Sequence, residues 1–163
     1  MEEPGWLAKT EGYIDLGMLD EAWKQLDSLP DELRDLPEAI EMRITILLDQ
    51  KDTEDALRLC LDLCRKYPDN HAGFIQGAFC LHHMGLTEQA QQHLQSGPPS
   101  LRREPTYFYN LCCYNLSLGK KDSAMAWLNR AFEMSPGFVE EALNDPDLES
   151  IHPLIEKRLN RQR

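Results

Sequence analysis

Four alanines, Ala22, Ala56, Ala90 and Ala124, stand 34 residues apart along this chain. An internal period of that length decides the architecture before any local propensity does, because repeats can bury their apolar faces only by stacking on one another. Gly17, Gly85 and Gly119 keep the same register ahead of their alanines, with Lys51 in the second place. Leu26, Cys60, Leu94 and Leu128 follow each alanine four positions later. Pro68 and Pro136 keep step behind the second and fourth alanines. Three columns sharing one period do not arise by chance.

Within a period the residues read as two helices and a turn. Ile40, Ile44, Leu47 and Leu48 recur at three- and four-residue steps, the spacing of one helical face. Ala56, Leu57, Cys60, Leu61 and Cys64 repeat the pattern on the second helix. The glycine column supplies the reversal, since glycine enters the left-handed region without steric cost. The alanine column lets the paired helices approach closely. Prolines at 30, 37, 68, 98, 99, 105 and 136 fall between hairpins, where proline ends one helix or opens the next. Leu29–Pro37 and Gly97–Pro105 read as loops closing the first and third repeats. No segment alternates as a strand does.

These columns resemble the tetratricopeptide repeat, whose period and pattern of bulky, glycine, alanine and proline positions they share. The resemblance covers residues 3–136, with repeats at about 3–36, 37–70, 71–104 and 105–138. Trp6, Ile40, Phe74 and Phe108 fill the first-helix aromatic position. The usual leucine position is kept by Leu111 but departs from the pattern in the other three repeats, holding Lys9, Arg43 and Gly77, and Asn115 departs at the next core position of the fourth repeat. The implied fold is all-α, a right-handed solenoid of antiparallel helix pairs. Residues 137–163 continue with apolar positions and a basic tail, and read as a cap over the last repeat. Helices are expected at about 137–144 and 153–160, with Leu148, Ile151, Leu154 and Leu159 covering the array. The stretch Asn144-Asp145-Pro146-Asp147-Leu148-Glu149 resembles an ending common in bacterial proteins of this family.

Charge narrows the partners. The chain carries a formal −11, which disfavours nucleic acid and anionic membrane surfaces. Residues 1–36 hold ten acids and three bases, whereas the bases of the last segment are Lys157, Arg158, Arg161 and Arg163. The array is therefore acidic at its first end. Five cysteines with no even spacing do not form a secreted disulfide framework. No apolar run approaches the roughly 18 residues that cross a bilayer, and the acidic start lacks the features of a signal peptide. A cytoplasmic location is the expectation.

No residue set supplies a cofactor, a metal centre or a catalytic constellation. Cys60 and Cys64 share a helix face but have no neighbouring third ligand in sequence, and buried free cysteine is ordinary core. The acids at Asp31, Glu32, Asp35, Asp52, Glu54 and Asp55 lack the spacing of a calcium loop. His82 and His83 with Cys113 form the one enzyme-like set, but no oxyanion loop or orienting group accompanies it.

The resemblance instead implies a groove lined by first helices. Carried onto this sequence, it comprises Leu7, Glu11 and Ile14, then Glu38, Glu41, Met42, Thr45 and Asp49. The third repeat adds Ile75, Gln76, Phe79, His82 and His83, and the fourth adds Tyr109, Asn110, Cys113 and Leu116. The groove is acidic at one end and aromatic and amide-bearing at the other. It lacks the basic residues with which chaperone-binding relatives hold a terminal carboxylate. The expected function is a non-enzymatic adaptor or scaffold whose groove holds a protein or peptide segment with basic and aromatic or branched apolar side chains. Phe79 and Tyr109 would serve as anchors. The alternative is a specialised secretion or assembly chaperone.

Overall fold

A computed structural model describes residues 4–162, and every regular element among them is helical. Four hairpins succeed one another: α1 (Gly5–Asp15) with α2 (Leu19–Asp27), α4 (Pro37–Asp49) with α5 (Thr53–Lys66), α6 (His71–His83) with α7 (Thr87–Gln95), and α8 (Pro105–Ser117) with α9 (Lys121–Met134). The second helices begin at positions 19, 53, 87 and 121, and the first helices end at 15, 49, 83 and 117. The period of the sequence is thus the period of the structure.

Each hairpin turns on one residue in the left-handed region: Gly17 at φ 71°, Lys51 at 62°, Gly85 at 80° and Gly119 at 74°. The hydrogen bonds repeat as well. In the first hairpin Gly17 N–H donates to Ile14 O at 2.9 Å and Met18 N–H to Tyr13 O at 2.8 Å. Lys51 and Asp52 donate in the same pattern to Leu48 O and Leu47 O, at 3.0 and 2.8 Å. This paired closure satisfies carbonyls that the helix end would otherwise leave orphaned. Lysine therefore does at 51 what glycine does at the other three turns.

The four alanines and the column Leu26, Cys60, Leu94 and Leu128 expose no surface at all. They form the seam along which each hairpin closes. The departures from the repeat pattern have local causes. A Cβ at Gly77 would meet His93 Nε2 at 2.6 Å, and one at Gly73 would meet Cys64 Sγ at 2.8 Å. The His93 ring stacks on Phe74 and its Nε2 lies 3.2 Å from Gly73 O, in space that a leucine at 77 would take. Arg43 lies over the Trp23 ring and pairs with Asp27 at 2.9 Å. Buried Asn115 donates to Leu111 O at 2.7 Å, so its amide nitrogen is satisfied within its own helix.

The second helices alternate in length. Those of the first and third hairpins have 9 residues and those of the second and fourth have 14. The short ones stop at Ser28 and Ser96, whose hydroxyls donate to the carbonyls of Gln25 and His93, each at 2.7 Å. A serine bonding its own preceding turn competes with helix continuation, and Pro30 and Pro98 follow. At the equivalent positions Asp62 and Arg130 let the longer helices run on. The two connections expected as loops each hold a turn of helix: α3 (Asp31–Arg34) and a 3-10 turn (Pro99–Arg103) that buries Leu101 completely.

After α9 come α10 (Phe138–Asn144), a 3-10 turn (Pro146–Ile151) and α11 (His152–Arg161). Ala142, Leu148, Ile151 and Ile155 are fully buried in one core with Tyr107, Phe108, Leu128 and Phe132. Leu154, expected to cover the array, is instead 38% exposed, and its neighbour Ile155 takes the inward place.

Candidate functional site

The first helices of three hairpins wall an open cleft of about 420 Å³. Leu7, Glu11, Ile14 and Asp15 come from α1, Glu38, Glu41, Met42 and Thr45 from α4, and Gln76 from α6. Four carboxylates meet here without a lysine or arginine among the lining residues, around the apolar surface of Leu7, Ile14 and Met42. Glu41 is positioned from outside the cleft, since Asn70 Nδ2 donates to its Oε1 at 2.6 Å. Thr45 Oγ1 donates to Glu41 O at 3.1 Å, which turns the hydroxyl back onto its own helix. The Oε1 of Gln76 is enclosed and has no hydrogen-bond partner among the described residues.

Of the expected groove residues, the cleft thus gathers Leu7, Glu11, Ile14, Glu38, Glu41, Met42, Thr45 and Gln76. Asp49 is exposed but lies outside its lining. Asp15 was missed, although it occupies the position one period before Asp49. Column arithmetic alone would have found it.

Beyond Gln76 the surface changes. Phe79 is 41% exposed and packs against His83, with ring centroids 4.0 Å apart. His83 Nδ1 lies 3.2 Å from Phe79 O, and His82 Nδ1 lies 3.0 Å from Thr87 Oγ1. Burial, reinforced by neighbouring His83, pulls the His82 pKa below its usual value, with Asp147 opposing. His82 is therefore neutral at pH 7, its ring set against Tyr114 at 5.0 Å.

The aromatic end of the expected groove is closed by the chain itself. Tyr109 is 6% exposed, its hydroxyl donates to Asp145 Oδ2 at 2.7 Å, and its ring meets Phe138 at 5.3 Å. Asp145 also accepts from Asp147 N–H at 2.9 Å and caps the 3-10 turn. Tyr109 is thus a fastening for the segment after α9 rather than an open anchor for a partner. Asn110 and Cys113 are half-buried in the same helix. Desolvation, then neighbouring Cys112, Asp145 and Asp147, push the Cys113 thiol well above its ordinary range. Only the thiolate is a good nucleophile, so these surroundings oppose Cys113 reactivity. Cys60 and Cys80 are buried together between the second and third hairpins, and among the described residues no group of three or more His, Cys, Asp or Glu side chains could hold a metal ion. No described helix is long and apolar enough to cross a membrane.

No protein-family model matches the sequence, and no curated protein matches it. Solved structures do. A thermophilic TPR protein of Thermus thermophilus superposes with a TM-score of 0.69 at 18% identity, over 92% of this chain and 79% of that one. MamA of AMB-1 gives 0.62 at 15% identity, over 80% and 76% of the two chains. MamA of MSR-1 gives 0.63 at 15% identity, over 80% and 75%. Identities this low speak to architecture alone, and with the 34-residue register they establish that the chain folds as a tetratricopeptide-type helical solenoid.

Proposed function

We propose that this chain is a protein-interaction module that holds a partner segment of mixed basic and apolar character in the cleft between α1, α4 and α6. One observation carries the reading: Glu11, Asp15, Glu38 and Glu41 surround Leu7, Ile14 and Met42 with no lining base. A lysine or arginine entering the cleft would find carboxylates on both walls, and a branched or aromatic side chain beside it would cover the apolar floor. Exposed charges contribute only about 0.2–1 kcal/mol each, so they set encounter rate and partner choice more than affinity. Phe79 extends the apolar surface toward the third hairpin. Tyr109 does not extend it.

The test is a titration of the full chain with short labelled peptides of matched length that differ in charge and apolar content. Basic peptides carrying a branched or aromatic residue should bind, and Glu38→Lys with Glu41→Lys should remove that preference. If acidic peptides bind as well, or the double charge reversal leaves binding intact, the cleft is not the site.

A further inference from the structure

A second surface of this molecule has the opposite character to the cleft. Along α11, Leu154, Lys157 and Arg161 occupy positions i, i+3 and i+7, one face of a helix. All three are exposed, Leu154 at 38%. With Arg158, Met125 and Asn129 they line an open notch of about 450 Å³ between α9 and α11. Three bases and no acid line this notch, whereas four acids and no base line the cleft. Arg158 is partly engaged over the Phe132 ring at 5.3 Å, which leaves Lys157 and Arg161 as the cations the notch presents to solvent.

We infer that the occupant of the cleft is α11 of a second copy of this chain, so that the molecules associate head to tail. The inference rests on the cleft reading above and names its partner. Lys157 and Arg161 would meet the carboxylates of Glu11, Glu38 and Glu41, and Leu154 would lie on Leu7, Ile14 and Met42. An amphipathic helix laid in a groove is a recurrent recognition mode, read at i, i+3, i+4 and i+7 positions. The intervening surface does not compete, because residues 71–104 carry two acids and two bases. The two surfaces lie on different repeats, so the contact is heterologous: each copy uses its cleft toward one neighbour and α11 toward the other. Such contacts propagate into rings or open filaments rather than stopping at a symmetric dimer.

The cleft and α11 can be disabled separately on the full chain, with neutral substitutions at exposed or half-exposed positions. Glu11→Gln with Glu38→Gln and Glu41→Gln removes the cleft charge, and Lys157→Gln with Arg161→Gln removes that of α11. Sedimentation over a concentration series should show the wild-type mass rising without a fixed end point. Each variant alone should associate at least about tenfold more weakly, the scale of several exposed charge pairs lost together. Mixed in equal amounts, the two variants should form one heterodimer and stop, since only one intact cleft and one intact α11 are available. Substitution decides better than salt does, because salt screens the repulsion between two chains of −11 as well as the local attraction.

The inference fails if the wild-type chain stays monomeric up to roughly millimolar concentration, or if either variant associates as the wild type does. Titrating the Lys157→Gln, Arg161→Gln chain, whose cleft is intact, with basic apolar peptides separates this failure from failure of the cleft reading. If such peptides bind while the wild-type chain stays monomeric, the partner is another protein. If none binds, the cleft reading falls with it.

Discussion

Replacing Lys51 with glycine should stabilise this protein, and the size of the gain follows from the turn it occupies. Lys51 sits at φ 62°, where its counterparts Gly17, Gly85 and Gly119 sit at 71–80°. For an L-residue that region costs roughly 1–2 kcal/mol, because Cβ crowds the following carbonyl. Glycine avoids this cost but has more unfolded-state freedom to lose, a penalty of about 0.5–1 kcal/mol. No packing interaction offsets the strain, since a Cβ at any of the three equivalent glycines meets no atom within 4 Å and Lys51 is exposed. The difference favours glycine by about 0.5–1 kcal/mol, or about 1–4 °C in thermal midpoint for a chain of this length. Lys51→Ala is the necessary control, because it removes the cation from an acidic region and keeps the strained Cβ. Thermal and urea unfolding of the three proteins should rank Lys51→Gly above both others, with Lys51→Ala within about 0.5 kcal/mol of wild type. If Lys51→Gly is no more stable than Lys51→Ala, left-handed strain at 51 does not exceed the entropy that glycine loses, and the argument is wrong.

Other expectations concern the closing segment and the histidines. Tyr109→Phe and Asp145→Asn each weaken the fastening at 2.7 Å, so each should cost about 1–3 kcal/mol, with little further loss when combined, as a double-mutant cycle would show. Ile155→Ala should cost about 2–5 kcal/mol because Ile155 is fully buried. Leu154→Gln should stay within about 0.5 kcal/mol. Truncation after Pro136 removes Leu148, Ile151 and Ile155 from the core, and should lower both the thermal midpoint and the solubility. His82 has a lowered pKa in the folded chain, so the unfolded state binds its proton first as pH falls. Its contribution is present above about pH 6.5 and is lost as pH drops toward the folded value. His82→Gln should flatten stability between about pH 7 and pH 5, and an unchanged slope would assign the acid sensitivity to other groups.

The repeat was legible because its constraints are local and periodic: a residue that must reverse a helix, a small residue at a close approach, a bulky residue one turn later. These recur at fixed positions whatever the neighbouring hairpins do. Gly77 and Asn115 looked like departures because their reasons lie elsewhere, in the His93 ring and in the Leu111 carbonyl. The helical turns at 31–34 and 99–103 were masked by prolines that suggested uninterrupted loops. Within the site, the acidic residues could be placed by register, whereas the fate of Tyr109 could not. Tyr109 shares its column with Leu7, Glu41 and Ile75, and nothing in that column reveals that a carboxylate 36 residues downstream returns to meet its hydroxyl.

The alternation of the second helices has a consequence for how this array can be cut or extended. A 34-residue excision preserves the glycine and alanine columns yet joins a serine-terminated exit to a neighbour shaped for a continuing helix. Removing two hairpins together, from Ser28 to the residue before Ser96, brings equivalent residues into the same chain position, with Pro98 following as Pro30 did. The grammatical unit of this solenoid is therefore the couplet of 68 residues, and shuffled or lengthened versions should stay in phase only when built in whole couplets.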